Sequence, residues 1–173
     1  MKNICTLSDI NYLHQGLALY DSLNKHSTNF KLHYLCLCDN SYSIISKIEN
    51  ENIQAYNIKD LLKNDAKLVD IKNNDYSYFC WLLSSYFCNK LLPDFNNIMY
   101  VDSDIYFHKD VQIIYDEIGD RDVGIFRHRM FPLDLERGEG KYNVGVVYFK
   151  NSEDGNRTLW WWADAVLNKK YPE

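Results

Sequence analysis

The chain lacks the cationic clusters that are typical of nucleic-acid-binding proteins. It has 19 Lys and Arg residues against 24 Asp and Glu residues, which gives a formal net charge of −5 at pH 7. Affinity for a nucleic-acid backbone comes mainly from clustered Lys and Arg side chains. The composition therefore argues against a nucleic-acid partner.

Paired cysteines and long apolar runs are also missing. The five cysteines do not have the paired spacing of a zinc site, and we expect them in the core. We find no signal peptide and therefore expect a reduced, cytoplasmic setting. The longest apolar stretch, residues 76–92, includes Ser, Asn and Lys residues, and it falls short of the roughly 20 apolar residues of a membrane-spanning helix. We interpret it as a buried helix.

Short apolar runs alternate with segments of helical periodicity along the whole chain. A length of 173 residues suits one domain with a sizeable core. The alternation predicts a layered α/β sheet. Strands are expected at residues 3–8, 30–38, 53–58, 97–101, 122–126 and 144–149. Helices are expected at residues 12–25, 42–49, 58–63, 76–92, 111–118 and 153–169, with loops at residues 65–75 and 137–140.

Two carboxylates follow the fourth predicted strand, in the sequence NIMYVDSDIYF. Alternation along a strand would place Asp102 and Asp104 on one face and Ser103 on the other. Carboxylates that close repel each other unless a proton or a cation lies between them. Apolar residues on both sides bury the neighbourhood, where a charge needs a partner. We therefore predict that Asp102 and Asp104 bind a hard divalent cation, Mn²⁺ or Mg²⁺.

The position of this pair suggests what the cation would hold. In an open α/β sheet, ligands bind in the crevice beyond the carboxyl ends of the strands. Ser8 and Asp9, at the end of the first predicted strand, would open into the same crevice as Asp102 and Asp104. A cation there would neutralise a diphosphate and make it a better leaving group.

Three alternatives exist for the Asp-Ser-Asp sequence. An EF-hand loop would need a further acid or Asn and then a Gly where Tyr106 and Phe107 stand. A phosphatase of the aspartyl-phosphate type usually has a small hydroxyl residue in place of Tyr106. The third alternative is a solvated turn, because two acids at this spacing are a weak signal alone. The apolar flanks favour the metal site.

Three segments resemble one family, in the family's order and over nearly the whole chain. They are CTLSDINYLHQGLALYDSL, NIMYVDSDIYF and GKYNVGVVYFKN. They resemble the nucleotide-diphospho-sugar transferases of GT-A fold, and among these the bacterial glycosyltransferase family 8-like group. The resemblance implies a Rossmann-like, mixed but mostly parallel sheet flanked by helices. It also implies metal-dependent transfer of a sugar from a nucleotide diphosphate, most simply UDP, to a glycan acceptor such as lipopolysaccharide or capsule.

The same resemblance implies roles for individual residues. Asp102 and Asp104 match the metal-binding pair, and Ser103 lies where the backbone meets the ribose. Asn143 and Gly145 match the segment that holds the donor or acceptor sugar, with Asn143 among the catalytic residues. The remaining positions match segments that bind the nucleotide sugar, where Asp9 would contact the base or ribose and Tyr12 would stack on the base. They are Thr6, Leu7, Ser8, Asp9, Tyr12, Trp81 and Ser85.

The chain departs from the family pattern in two places. The helix at Trp81 carries Ser84 and Ser85 where relatives have a Lys or Arg aimed at the diphosphate, which leaves Lys90 or Arg127 to act by another route. A downstream His or acid that completes the metal shell is also missing. We therefore expect a C-terminally shortened single domain over residues 1–173, with His128 as the internal candidate for an extra ligand.

Two further functional classes stay open. A sugar nucleotidyltransferase shares a similar sheet, but it would need a Gly-rich phosphate loop with a basic residue after the first strand, which residues 8–11 do not supply. A catalytically incomplete remnant would bind a partner through Trp160, Trp161 and Trp162. Successive helical residues point 100° apart, so these three side chains cannot share a face. Core packing is expected for one or two, and the others suit a partner or a peripheral membrane contact at the inner face.

Overall fold

A mixed sheet organises the chain. The computed structural model describes residues 1–63, 65–129 and 140–169. Their strands form one sheet in the order β3-β2-β1-β4-β6-β5. The pairs β3–β2, β2–β1 and β1–β4 are parallel, and β6 runs antiparallel to both of its neighbours. The strands are β1 (Lys2–Ser8), β2 (Phe30–Cys36), β3 (Ile53–Asn57), β4 (Asn97–Val101), β5 (Val123–Arg127) and β6 (Tyr142–Lys150).

Helices cover both faces of this sheet. A short 3₁₀ turn, Leu92–Asp94, follows the longest of them and contains Pro93. None of the helices in residues 1–63, 65–129 and 140–169 combines the length and apolarity needed to cross a membrane. The helices are α1 (Leu13–His26), α2 (Asp39–Ile45), α3 (Ile58–Leu62), α4 (Ala66–Asn74), α5 (Tyr76–Leu91), α6 (Gln112–Ile118) and α7 (Glu153–Leu167).

The core has two layers because side chains alternate along the buried strands. Ile4 of β1 packs in the layer that contains residues of α1, α2 and α6. Its neighbour Cys5 packs in the opposite layer, with residues of α4, α5 and α7. In that layer the Cys5 and Cys88 sulfurs lie 3.3 Å apart and are fully buried. Burial raises the pKa of the Cys5 thiol well above its usual value, so this pair is part of the core.

The predicted α/β sheet, mixed and mostly parallel with helices on both faces, is confirmed. The loop predicted at residues 65–75 is wrong, because α4 occupies Ala66–Asn74. Leu68 and Ile71 supply its buried side, and the Asp65 carboxylate accepts from the Leu68 amide at 3.0 Å. Because residues 65–75 are mostly polar, these two apolar positions did not indicate a helix. The turn predicted at residues 137–140 lies, apart from Gly140, outside the described residues.

His33 is a buried titratable side chain in β2. It is 2% exposed, its Nδ1 lies 3.0 Å from the Tyr56 hydroxyl, and its Nε2 lies 3.3 Å from Asn3 Oδ1. Its ring also packs on Phe95, with 4.6 Å between the ring centroids. Burial, with a smaller contribution from the charge of Lys31, lowers the pKa of His33 to about 4. The neutral ring is therefore the form that suits the folded state.

This depressed pKa predicts a defined pH dependence of stability. The unfolded chain binds a proton at His33 as the pH falls below its ordinary value of about 6.5, whereas the folded chain does so only near pH 4. The stabilisation is complete above pH 6.5, and about 3 kcal/mol is lost by pH 4. In urea unfolding at pH 7 and pH 4.5, most of this loss should disappear in His33→Gln. The exposed His14→Gln should behave as wild type, and equal losses in all three proteins would contradict the prediction.

Candidate functional site

A cleft of about 660 Å³ opens beyond the carboxyl ends of β1 and β4. These strands are neighbours in the sheet, and the strand order reverses between them, which is where open α/β sheets bind ligands. The walls come from β1 and the loop after it, from one face of α5, from the end of β4, and from β6. Its lining residues are Leu7, Ser8, Asp9, Tyr12, Leu37, Tyr76, Ser77, Cys80, Trp81, Ser84, Tyr100, Asp102, Ser103, Asp104 and Val144.

The acidic pair lies in a tight turn. β4 ends at Val101, and the Ile105 amide donates to the Asp102 carbonyl at 3.1 Å. Ser103 therefore lines the cleft together with Asp102 and Asp104. The prediction that Ser103 would face the other side of a strand is wrong, because strand alternation stops one residue before the pair.

The floor of the cleft is negatively charged. Burial raises the pKa of the half-buried Asp102 carboxyl, and the charge of Asp104 raises it further, while a hydrogen bond from the Tyr100 hydroxyl opposes the shift. Asp9 adds a third carboxylate to the lining, and no Lys or Arg side chain is among the described residues that line the cleft. An arrangement of this kind attracts a cation.

A glycine makes room for the Asp102 carboxylate. The Asp102 amide donates to the Gly145 carbonyl at 2.8 Å. A Cβ atom on Gly145 would lie 2.9 Å from Asp102 Oδ2 and 2.8 Å from Asn143 Oδ1, closer than van der Waals contact allows. The contact falls where the β5–β6 register shifts, since Ile125 pairs with Val147 but Phe126 pairs with Asn143. Such irregularities re-aim residues next to binding sites.

The donor set fits a hard divalent cation. Asp102 and Asp104 offer carboxylate oxygens, the ligands that Mg²⁺ and Mn²⁺ prefer. Within residues 1–63, 65–129 and 140–169, no group of three or more His, Cys, Asp or Glu side chains could hold a metal ion. The described residues therefore supply the pair, and the remaining coordination would fall to water and to phosphate oxygens.

The loop after β1 forms a further part of the cleft wall. α1 begins at Leu13, and the side chain of Tyr12, the residue before it, makes no capping hydrogen bond. Asp9 instead shapes the loop, because its Oδ1 accepts from the Asn11 amide at 2.9 Å and from the Tyr12 amide at 3.3 Å. This turn presents the Tyr12 ring, which is 57% exposed, at the cleft.

Two predicted nucleotide-binding residues do not reach the cleft. Thr6 is fully buried, since alternation along β1 turns it to the face opposite Leu7, which does line the cleft. Ser85 is also fully buried, and its hydroxyl donates to the Leu82 carbonyl at 3.0 Å. It falls just outside the arc of α5 that faces the cleft.

Several lining residues were missed by the sequence interpretation. Tyr76, Ser77, Cys80 and Ser84 lie on the same face of α5 as Trp81, so helical spacing from Trp81 would have found them. Trp81 is 73% exposed and stands at the mouth of the cleft. Asn143 is exposed and Gly145 is buried, and the lining residue between them is Val144. No pattern in the sequence pointed to Tyr100.

The alternative ligands and cations lie elsewhere. His128 Nδ1 is 2.8 Å from the Gly140 carbonyl and does not line the cleft. The Lys90 ammonium lies over the Tyr86 ring, 5.4 Å from its centroid. Arg127, in β5, is exposed and is not among the lining residues. The structure does not bring these three residues to the acidic pair.

Sequence comparison finds relatives of unassigned function. No protein-family model matches the chain. The uncharacterised Bacillus subtilis (strain 168) protein YfnF is 24% identical over 176 residues, which cover 95% of this chain and 58% of YfnF. The uncharacterised protein YfnD of the same strain is 22% identical over 168 residues, which cover 94% of this chain and 53% of YfnD. The chain thus spans about half the length of the curated relatives it matches.

Structural comparison identifies the fold. Mouse xyloside xylosyltransferase 1 superposes with a TM-score of 0.63 at 13% identity, over 95% of this chain and 71% of that one. The galactosyltransferase LgtC, solved with donor and acceptor sugar analogs, gives 0.56 at 16% identity, over 98% and 66%. The glycosyltransferase GlyE of Streptococcus pneumoniae TIGR4 gives 0.56 at 18% identity, over 98% and 39%. The chain has the GT-A fold, as its sequence predicted.

The contact between Gly145 and Asp102 predicts a selective loss of metal binding. In Gly145→Ala the new methyl group meets the ends of two side chains, so the Asp102 carboxylate is displaced while the unfolding free energy changes by less than about 1 kcal/mol. Mn²⁺ affinity, measured by electron paramagnetic resonance of the free ion, should fall by about tenfold or more. Gly124→Ala, whose methyl group would crowd Ile118 in the core, should cost stability without changing Mn²⁺ affinity. Unchanged Mn²⁺ binding by Gly145→Ala would contradict the prediction.

Proposed function

We propose that this protein is a metal-dependent glycosyltransferase of the family 8-like type, which transfers a sugar from a UDP-linked donor to a glycan acceptor. One observation carries the proposal. Asp102 and Asp104 line a cleft at the strand-order reversal of a GT-A fold, and Gly145 makes room for the first carboxylate. Mn²⁺ or Mg²⁺ bound by these two residues would neutralise the diphosphate and make it a better leaving group.

The chain's own residues would orient the donor. The exposed Tyr12 ring suits stacking on the uracil base, and Asp9, at the same loop, suits a contact with the base or ribose. Ser103 lies in the turn between the two aspartates, where a ribose would meet the backbone. Trp81, which lines the cleft, and Asn143, next to the lining residue Val144, are the candidates for contacts with the transferred sugar and its acceptor.

The charge of the cleft supports a strict need for the metal. Its described lining residues include three carboxylates, and the predicted substitutes for a basic residue, Lys90 and Arg127, do not line it. A nucleotide diphosphate alone would meet like charge on the floor of this cleft. A cation held by Asp102 and Asp104 would therefore offset the charge of the carboxylates and make the cleft able to accept an anionic ligand.

The proposed acceptor class comes from the family resemblance. The expected acceptor is a glycan of lipopolysaccharide or capsule biosynthesis, and the expected place of action is the inner face of the membrane. The curated relatives that the chain matches are about twice its length and uncharacterised. The exposed aromatic ring of Trp81 at the mouth suits an uncharged sugar ring, since such a ring offers an apolar face for stacking.

A second candidate function rests on α7. Trp160 and Trp161 are 60% and 57% exposed, whereas Trp162 stacks on Phe149 with 5.9 Å between the ring centroids. Core packing, expected for one or two of these tryptophans, is therefore found for Trp162. An exposed pair of this size suits a partner surface, and a protein that only binds a partner would not turn over a donor. Incubation with UDP-sugars distinguishes the two, because slow UDP release requires the enzyme.

The central prediction concerns Asp102. Calorimetry in the presence of Mn²⁺ should show UDP binding, and Asp102→Asn, which removes a charged ligand at nearly constant volume, should weaken it by about 100-fold, or roughly 3 kcal/mol. Asp21→Asn, at an exposed position on α1, should bind as wild type. UDP binding of equal strength with and without Mn²⁺ would refute the proposed role of the pair.

A separate prediction concerns the base. Stacking of a nucleobase on an aromatic side chain is worth about 1–3 kcal/mol, so Tyr12→Ala should weaken UDP binding by roughly 5- to 150-fold. Tyr12→Phe keeps the ring and should bind within about twofold of wild type. If Tyr12→Ala binds UDP as tightly as the wild type, the base lies elsewhere in the cleft.

A further inference from the structure

The Tyr100 hydroxyl is the group that fixes the Asp102 carboxylate. Tyr100 is in β4, two residues before Asp102, and its side chain is directed toward the α5 layer, where it is 5% exposed. Its hydroxyl donates to Asp102 Oδ1 at 2.8 Å. The rest of the ring lies among core residues, and across the β1–β4 pair it stands opposite Cys5.

Asp102 is thereby held on three sides. Oδ1 accepts from Tyr100, Oδ2 lies 2.9 Å from the position that a Cβ atom on Gly145 would take, and the Asp102 amide donates to the Gly145 carbonyl. A carboxylate with this support has little freedom to rotate about its side-chain bonds. Asp104, by contrast, is exposed. The first acid of the pair is the preorganised one.

We propose that Tyr100 is a positioning residue, which orients Asp102 to bind the divalent cation. This inference rests on the proposed metal-dependent function. Groups that hydrogen-bond to a metal ligand fix its orientation, and their removal typically weakens metal binding by about 10- to 100-fold. The phenol touches the carboxylate and not the substrate, so it acts only through Asp102.

Folding alone gives a poor reason for a tyrosine here. A hydroxyl buried in an apolar layer must recover its desolvation cost through a hydrogen bond, and the Tyr100 hydroxyl does so by donating to Asp102. A phenylalanine of nearly the same shape would fill the layer without that cost. The half-buried Asp102 could regain its lost bond from water. The inference therefore predicts that Tyr100→Phe leaves the free energy of unfolding nearly unchanged and weakens cation binding.

The chain provides a matched control in Tyr86. It lies in the same core layer, its hydroxyl donates to Asp65 Oδ2 at 2.7 Å, and neither partner lines the cleft. Tyr86→Phe thus deletes the same kind of tyrosine–carboxylate bond away from the proposed metal site. Both variants lose a buried tyrosine–carboxylate hydrogen bond, but only Tyr100→Phe loses one at the proposed metal site. A difference in Mn²⁺ affinity between them therefore reports the location of the bond and not its effect on folding.

The test measures Mn²⁺ affinity by electron paramagnetic resonance, with and without UDP, and stability by urea unfolding. We expect Tyr100→Phe to bind Mn²⁺ about tenfold or more weakly, with an altered spectrum of the bound ion, and Tyr86→Phe to bind within about twofold of wild type. Equal affinities in all three proteins, or equal losses in both variants, would overturn the inference. Failure of the wild type to bind Mn²⁺ at all would instead overturn the proposed function, and this inference with it.

Discussion

The close approach of two backbones, at Asp102 after β4 and at Gly145 in β6, is the constraint on which the site depends. A side chain at position 145 would occupy the space of the carboxylate. β6 runs antiparallel to β4, so its first residues lie at the carboxyl end of the parallel strands and close the cleft there. The local register shift against β5 places the glycine beside the turn. Topology and one missing Cβ thus combine to create a pocket for a single carboxylate.

The electrostatics of the cleft are dominated by carboxylates, an arrangement that would favour a bound cation. Asp9, Asp102 and Asp104 line it, and burial together with the charge of Asp104 raises the pKa of Asp102. Like charges repel each other, so the rest of the fold must stabilise the carboxylates that lie together in this cleft. The aromatic rings of Tyr12 and Trp81 line the same cleft and offer apolar surface beside the carboxylates.

Much of the sheet and part of the site were predictable from sequence, because both depend on local periodicity and short motifs. The order of strands and helices followed from apolar spacing, and Asp102 and Asp104 were found from their position after a strand. The errors arose where rules based on local sequence no longer apply. The alternation rule stopped at Val101, so Ser103 was misplaced. Thr6 and Ser85 were assigned to the nucleotide pocket by the family motif, and both are fully buried and outside the cleft lining. The contact of Gly145 with Asp102 and the bond from Tyr100 depend on tertiary pairing, which no spacing rule encodes.

The composition of the cleft ties ligand binding to the integrity of the entire sheet. Its walls draw on Leu7 near one end of the chain and Val144 near the other, with α5 and β4 between them. No fragment with only one of these segments contains the cleft, and it exists only after the non-local β1–β4 and β4–β6 ladders have formed. A molecule that binds there stabilises the folded chain relative to every partly unfolded species. The gain in unfolding free energy depends on the ratio of ligand concentration to dissociation constant. Resistance to proteolysis in the presence of a candidate ligand would therefore report occupancy of the cleft without a catalytic assay.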